Sequence, residues 1–358
     1  MKKKLVSIMA IVGFVFVGQA KVLTVSNNVA SPGQYTVLQT ACDAAAPNDT
    51  IYIHGSENDY STVDITKPLT LIGTGVFAQK SVKQQTTISN ISIKWSSNGS
   101  QNGGGSKIFG INLYRLLIID EVNSTGIKNI LVQRNRISQI EIQGNGVSSN
   151  ININGNIIGS AQIFPGKSIY IKNNIINNLG GGDRNFVSTL VAANNIIYGR
   201  CHLNRSSIYN NIFTSYGSKV FEGCEYSSIT RNLVSGKINY TNADIVFGTN
   251  TGGENILNED PMFVDANSSP MDYGYTSKGP FADYHLSAGS PAIGTGIGGV
   301  DLGIYGGDSP FFEGEITSGL NRYFPMPAIP VMLDMNIVNS SLLKTSKLKV
   351  EFKARKQD

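Results

Sequence analysis

Asn135-Arg136-Ile137, Asn156-Ile157-Ile158, Asn174-Ile175-Ile176, Asn195-Ile196-Ile197, Asn211-Ile212-Phe213 and Asn232-Leu233-Val234 are one phrase written six times between Asn129 and Val234. The copies stand 21, 18, 21, 16 and 21 residues apart, about 19 on average. So short a period, carried by strand-forming residues with no helical spacing, marks a solenoid in which each repeat is one coil of chain.

Five residues before each asparagine stand Ile130, Ile151, Ile169, Leu190, Ser206 and Ser227, and three before it Val132, Ile153, Ile171, Ala192, Ile208 and Ile229. Both rows are apolar or small. The rows between and after them are mixed and largely polar: Leu131, Asn152, Tyr170, Val191, Ser207 and Ser228, then Gln133, Asn154, Lys172, Ala193, Tyr209 and Thr230. This period-two alternation predicts strands with one face in a core and one outside. Because the phase returns every coil, the strands stack in parallel and in register. The asparagine falls at the sharp turn, where it tolerates a left-handed backbone, and stacked copies can bond from coil to coil. A β-sandwich with Asn-rich turns has no need of one residue at one phase six times. A lone coil cannot fold: burying three or four aliphatic side chains contributes on the order of 5–10 kcal/mol, against on the order of 20–40 for ordering some twenty backbones.

The composition agrees with an all-β, turn-rich chain: 39 of 358 residues are Gly and only 15% are charged. The formal charge of +4 misleads. Lys2, Lys3 and Lys4 sit in a leader-like start, and the last fifteen residues hold six Lys or Arg against Glu351 and Asp358. The body between is slightly acidic, so nothing points to nucleic acid.

Residues 1–20 read as a secretory signal: three lysines, an apolar run from Leu5 to Val17, then Gly18-Gln19-Ala20. That run is too short to span a bilayer comfortably, so the expectation is an exported protein, periplasmic or extracellular, without a membrane span. Residues 21–313 are expected to form the solenoid and 314–358 a β extension. In the extension two alternating strands are legible, around Val331-Leu333-Met335 and Leu348-Val350-Phe352; they form either a separate module or a cover for the solenoid. Ser96 to Ser106 and Asn178 to Phe186, each with three consecutive glycines, read as flexible loops.

Tyr35 to Ala46 has helical spacing at Val37, Ala41, Ala44 and Ala45 and precedes Thr50-Ile51-Tyr52-Ile53 and Leu69-Thr70-Leu71-Ile72-Gly73. Here the chain resembles the opening of the pectate lyase-like superfamily of right-handed parallel β-helices, where a short helix plugs the first coil. Asp260 to Asp265, Asp283-Tyr284-His285-Leu286, Ser290 to Ile293 and Asp301 to Gly307 resemble the last coil and exit of its secreted bacterial members. The resemblance implies a single right-handed parallel β-helix with an N-terminal helical cap. Enzymes of that superfamily that act on acidic polysaccharides carry carboxylates on the main outward face, for calcium or for acid and base roles. The two outward rows above hold neither Asp nor Glu, which speaks against a calcium-dependent lyase, a polygalacturonase and a methylesterase there.

A second outward row gives Glu141, Gln162, His202, Glu222 and Asn239, with Arg200 beside it and Asp183-Arg184 one coil away. Arg200, His202 and Glu222 are the catalytic candidates: a uronate held by the arginine and stripped of its C5 proton by a general base. Glu141, Lys172, Asp183 and Arg184 are candidate substrate contacts, and Tyr170, Tyr209 and Phe221 are rings on which a sugar can stack. Neither metal nor cofactor is expected. His54 and His285 lie in cap-like segments and read as structural, and Cys42 as a buried small apolar residue in the capping helix. Cys201 and Cys224 are about one coil apart, but their offsets from the asparagine row differ, so the paired and the free state both stay open. Two functions follow: a non-catalytic exported protein whose long face binds a polysaccharide or a surface partner, and a polysaccharide lyase or hydrolase.

Overall fold

Ile130, Ile151, Ile169 and Leu190 lie side by side in neighbouring parallel strands, as do Val132, Ile153, Ile171, Ala192, Ile208 and Ile229. All of them are buried, and the rows between them face outward. This is the alternation the sequence predicts. The structure is a computed structural model that describes residues 20–29, 31–75, 85–120, 126–144, 148–164, 166–181, 190–214, 220–221, 223–236, 241–245, 248–265, 283–308, 310–311, 331–337 and 350–355.

The fold is a parallel β-solenoid, a β-helix, built from two eleven-stranded sheets. Each coil contributes one strand to the first sheet, turns, and contributes to the second; from Asn135 onward the turn is made at an asparagine. Thus Ser148–Asn154 of the first sheet leads through Asn156 into Ile157–Ile163 of the second. Side chains from both sheets meet in one continuous core that runs from Val25 to Ile245.

The asparagines form an unbroken ladder. The Nδ2 of Asn135 donates to Oδ1 of Asn156, and the pattern repeats through Asn174, Asn195, Asn211, Asn232 and Asn255, at 2.9–3.1 Å. Each backbone N–H donates to the same oxygen, at 2.9–3.0 Å. Asn255 extends the row beyond the six sequence copies, through Asn255-Ile256-Leu257, 23 residues after Asn232. Asn242, in the short helix Asn242–Ile245, closes the column by accepting from Asn255 Nδ2 at 2.8 Å.

The left-handed residue at this corner is not the ladder asparagine but the one before it. Arg134, Asn173, Asn194, Asn210, Arg231 and Glu254 have φ between 51° and 60°, and Gly155 takes the same place at 61°. The physical reason is the ladder itself: a side chain that must reach along the axis sits in an ordinary backbone, so its neighbour makes the bend.

At the N-terminal end the helix Leu38–Ala44 buries Leu38, Ala41 and Cys42 against the first coil, inside the predicted span. Gln39 holds both backbone groups of Asp64 on the edge strand Val63–Ile65, at 2.8 and 3.2 Å. An edge that would otherwise offer free backbone groups is thereby blunted. Lys67 Nζ satisfies the carbonyls of Asp43 and Ala45 at the helix end. Ser96 to Ser106, expected as a flexible loop, is tied by Ser96 N–H to the Gln101 carbonyl and by Gly103 N–H to that of Lys94.

The segment from Asp283 to Phe311 departs from the expected last coil. It folds back along the outside of the asparagine corner as a strap. The residues that follow the ladder asparagines, Ile157, Ile175, Ile196, Ile212 and Leu233, point outward and form a second apolar cluster with Tyr284, Ala292, Leu302, Ile304 and Phe311. An apolar stripe on consecutive coils needs a cover, and the strap provides it. Its polar backbone is fixed by the left-handed residues: Asn173 Nδ2 donates to the carbonyls of Ile304 and Gly306 at 2.9 and 2.7 Å, and Asn210 Oδ1 accepts from Ile297 N–H at 2.8 Å. The extension contributes Val331–Ile337 and Val350–Arg355, an antiparallel pair forming its own sheet. The leader proposed at residues 1–20 lies, but for Ala20, outside the described residues.

Candidate functional site

Two outward faces are available for recognition. The first sheet presents two central columns across all eleven strands, from Val22 and Thr24 at one end to Thr251 and Gly253 at the other. Neither column contains an Asp or a Glu anywhere along its length. Its charges are Lys107 and Lys172. Around the middle, Asn152 and Asn154, Tyr170 and Lys172, Val191 and Ala193, Ser207 and Tyr209 follow strand by strand.

The Lys172 ammonium stands 5.5 Å from the centre of the Tyr170 ring, within cation–π range. Tyr209 is half-buried, and its hydroxyl is pushed above the ordinary tyrosine range, first by desolvation and then by Asp308 of the strap and by Tyr170. Ala193 lies between Lys172 and Tyr209 in register. This small residue is itself buried, only 1% exposed. Tyr170 and Tyr209 are two strands apart, about 10 Å across the sheet.

The second face bears the row with the catalytic candidates. In register it reads Asp64, Ser92, Leu117, Glu141, Gln162, Gly180 and His202. Glu141 and His202 are therefore three strand steps apart, about 14 Å. Glu141, expected as an open substrate contact, is instead closed off and only 4% exposed. Arg115 lies over it at 2.6 Å, and Gln143 donates to the same oxygen. A long guanidinium one strand below is enough to seal an outward carboxylate, and strand phase alone does not reveal it. The same bond raises the Arg115 pKa.

Arg200 and His202 are both exposed and point outward on either side of buried Cys201. The His202 ring lies against Gly223, where an added Cβ would come within 2.6 Å of Nε2, and where φ is +82°. Only glycine fits there. Glu222, Asp183 and Arg184 lie outside the described residues. The structure thus joins Arg200 with His202 and separates both from Glu141.

Phe221 corrects another expectation. It is 8% exposed and meets Phe213 edge-on at 4.8 Å inside the core, so it is no platform for a sugar. Phe221 stands in a turn outside any strand, so strand phase does not set the direction of its ring. Cys201 and Cys224 are both buried free thiols, with Cys224 Sγ donating to the Cys201 carbonyl at 3.2 Å. His285 Nδ1 is 2.7 Å from Asp283 Oδ1, and its ring stacks on Tyr305 at 4.2 Å. Among the described residues no three His, Cys, Asp or Glu side chains converge as a metal site requires, and no helix is long and apolar enough to cross a membrane.

One concavity had no place in the sequence reading. It is a solvent-open pocket of about 430 Å³ at the edge where chains enter the first sheet, around Asn102, Gly104 and Lys128. The Gly103-Gly104-Gly105 run was its only sequence signal. No family model matches the chain, and neither does any curated protein.

Proposed function

We propose that this is an exported β-helix protein that binds a polysaccharide along the outward face of its first sheet without cleaving it. The observation that carries the reading is the composition of that face: eleven strands with no carboxylate in either central column, and amides, hydroxyls, Lys172, Tyr170 and Tyr209 in the middle. Amide and hydroxyl rows match the hydroxyls of a glycan, and tyrosine rings offer flat apolar surface with a polar tip. The β-helix fold and the opening with its capping helix support a pectate lyase-like relationship. In this reading residues 1–20 direct export, 21–313 form the binding body, and other surface components are the remaining class of partner.

Glycan-array binding, followed by titration of the best ligand, tests the proposal. Tyr170→Ala and Tyr209→Ala are each expected to weaken binding about tenfold, the equivalent of about 1.4 kcal/mol. Unchanged affinity in both variants overturns the assignment to this face. The lyase or hydrolase reading has one observation in its favour, the exposed Arg200 and His202 pair. Release of unsaturated uronate, read at 232 nm and lost in His202→Ala, would decide for it.

A further inference from the structure

We infer that Cys201 and Cys224 are a redox pair that closes into a disulfide by exchange with a low-molecular-weight disulfide. Cys224 is the attacking thiol and Cys201 the resolving one, and the bond staples two neighbouring coils beside Arg200 and His202. The two cysteines are 23 residues apart, the same interval as from Asn232 to Asn255 in the ladder. Backbone bonds lay the segment from Val220 to Glu225 against the strand Cys201–Leu203: Cys201 N–H donates to the Val220 carbonyl at 3.0 Å and Arg205 N–H to the Glu225 carbonyl at 2.8 Å. Between these ties Cys224 Sγ reaches back to the strand, donating to the Cys201 carbonyl at 3.2 Å and accepting from Leu203 N–H at 3.4 Å. The two thiols also hydrogen-bond to each other. Backbones joined in this way lie about one strand spacing apart, about 4.8 Å, within the Cα separation of about 4.4–6.8 Å that a disulfide spans. Closure therefore asks for side-chain rotation, with the coils left in place.

The surroundings divide the roles. The attacking species in exchange is the thiolate. Cys224 stands outside any strand and keeps 6% of its surface exposed, whereas Cys201 has none. The bonds from the Cys201 thiol and from Leu203 N–H favour the Cys224 thiolate and hold its pKa below the ordinary thiol value. Cys201, which donates the first of those bonds and lies wholly buried, is pushed well above it. The Cys224 sulfur attacks one sulfur of the external disulfide, forming a mixed disulfide and releasing one thiolate. Cys201 then passes its proton to that thiolate, attacks the Cys224 sulfur and expels the second. The two cysteines are oxidised, the external disulfide is reduced to two thiols, and both cysteine protons end on those thiols. Gly223, against which the His202 ring lies, adjoins the new bond, so the oxidation state sets how firmly that wall beside Arg200 and His202 is held. An oxidising compartment, which the export reading assigns, carries such disulfides; the exchange itself depends neither on that reading nor on glycan binding.

Incubation of the reduced, folded chain with glutathione disulfide, followed by denaturation, alkylation and mass spectrometry, tests this. Cys42, buried in the capping helix with its thiol pushed up to about 12, is the internal control. After oxidation only Cys42 is expected to be alkylated, and peptide mapping should find Cys201 linked to Cys224; the reduced chain should take three labels. The oxidised chain should melt about 5 °C higher and exchange amide hydrogens more slowly from Gly223 to Glu225. Cys201→Ser should trap glutathione on Cys224, while Cys224→Ser should leave Cys201 unmodified. Three labels after oxidation overturn the pair, and glutathione trapped on Cys201 in Cys224→Ser overturns the assignment of roles. Cys42 modified as fast as Cys224 overturns the inference as well, because the reaction then runs through the unfolded chain. A closed bond with unchanged melting and exchange overturns the staple. The label count and the mapped link are read on the unaltered chain, so a variant that fails to fold leaves the inference open to refutation.

Discussion

A buried asparagine in the ladder commits all of its polar atoms. Asn174 Nδ2 donates to the carbonyls of Ile153 and Lys172 and to Asn195 Oδ1, and its Oδ1 accepts from the backbone and side chain of Asn156. Asn174→Ala leaves several buried groups without partners, each costing about 1–3 kcal/mol. Chemical denaturation should show a loss of about 4 kcal/mol. Asn152→Ala, on the outward row, should stay within about 0.5 kcal/mol. Cys42 sets a pH limit on the cap, because burial pushes its thiol up to about 12 from 9.0. The folded state thus favours the protonated form. Its contribution is complete below about pH 9 and is lost as pH rises from there toward 12. Thermal melts should fall across that interval, and Cys42→Ala should flatten the fall. The ladder residues were legible because one residue type recurred at one phase. The left-handed residue before each was not, since Arg, Gly, Asn and Glu all occupy that position and share only a backbone angle.

Among the elements, the strap shows how left-handed residues were put to a second use. Asn173 turns the chain at φ 54° and holds the strap through Ile304 and Gly306. Asn173→Gly keeps the turn, since glycine accepts positive φ freely, and removes only the clamp. Hydrogen exchange should therefore quicken in residues 301–307 while the coils stay protected, and equal exchange in both proteins would refute the clamp. Alternation told which residues leave the core. It did not tell which of those are covered afterwards: Ile157 and Ile175 lie under a segment more than a hundred residues away, and Glu141 lies under Arg115. Phe221 was misplaced for a related reason, because it stands outside a regular strand, where period two has no meaning.

Over the whole molecule, two cores lie back to back across the second sheet's first residues, one inside the coils and one beneath the strap. A chain ending before Asp283 would expose Ile157, Ile175, Ile196, Ile212 and Leu233 on successive coils. Such a contiguous apolar stripe invites association. Size-exclusion chromatography of a 21–282 chain should show aggregates where the longer chain elutes as a discrete species.

The column of side-chain amides has a direction: every link hands a hydrogen toward the C-terminal end, and Asn242 receives the last. Such an array behaves as a one-dimensional lattice whose unit cell can be excised. Cutting out residues 135–155 joins Arg134 to Asn156, which takes over the first place of the array from Asn135, removes one strand from each sheet, and leaves the Asn255–Asn242 end and the Asn173 anchor as they are. The shortened chain should keep its β-type circular dichroism and melt at a lower temperature. In this architecture length is a free variable, and a lineage can adjust its reach by whole periods.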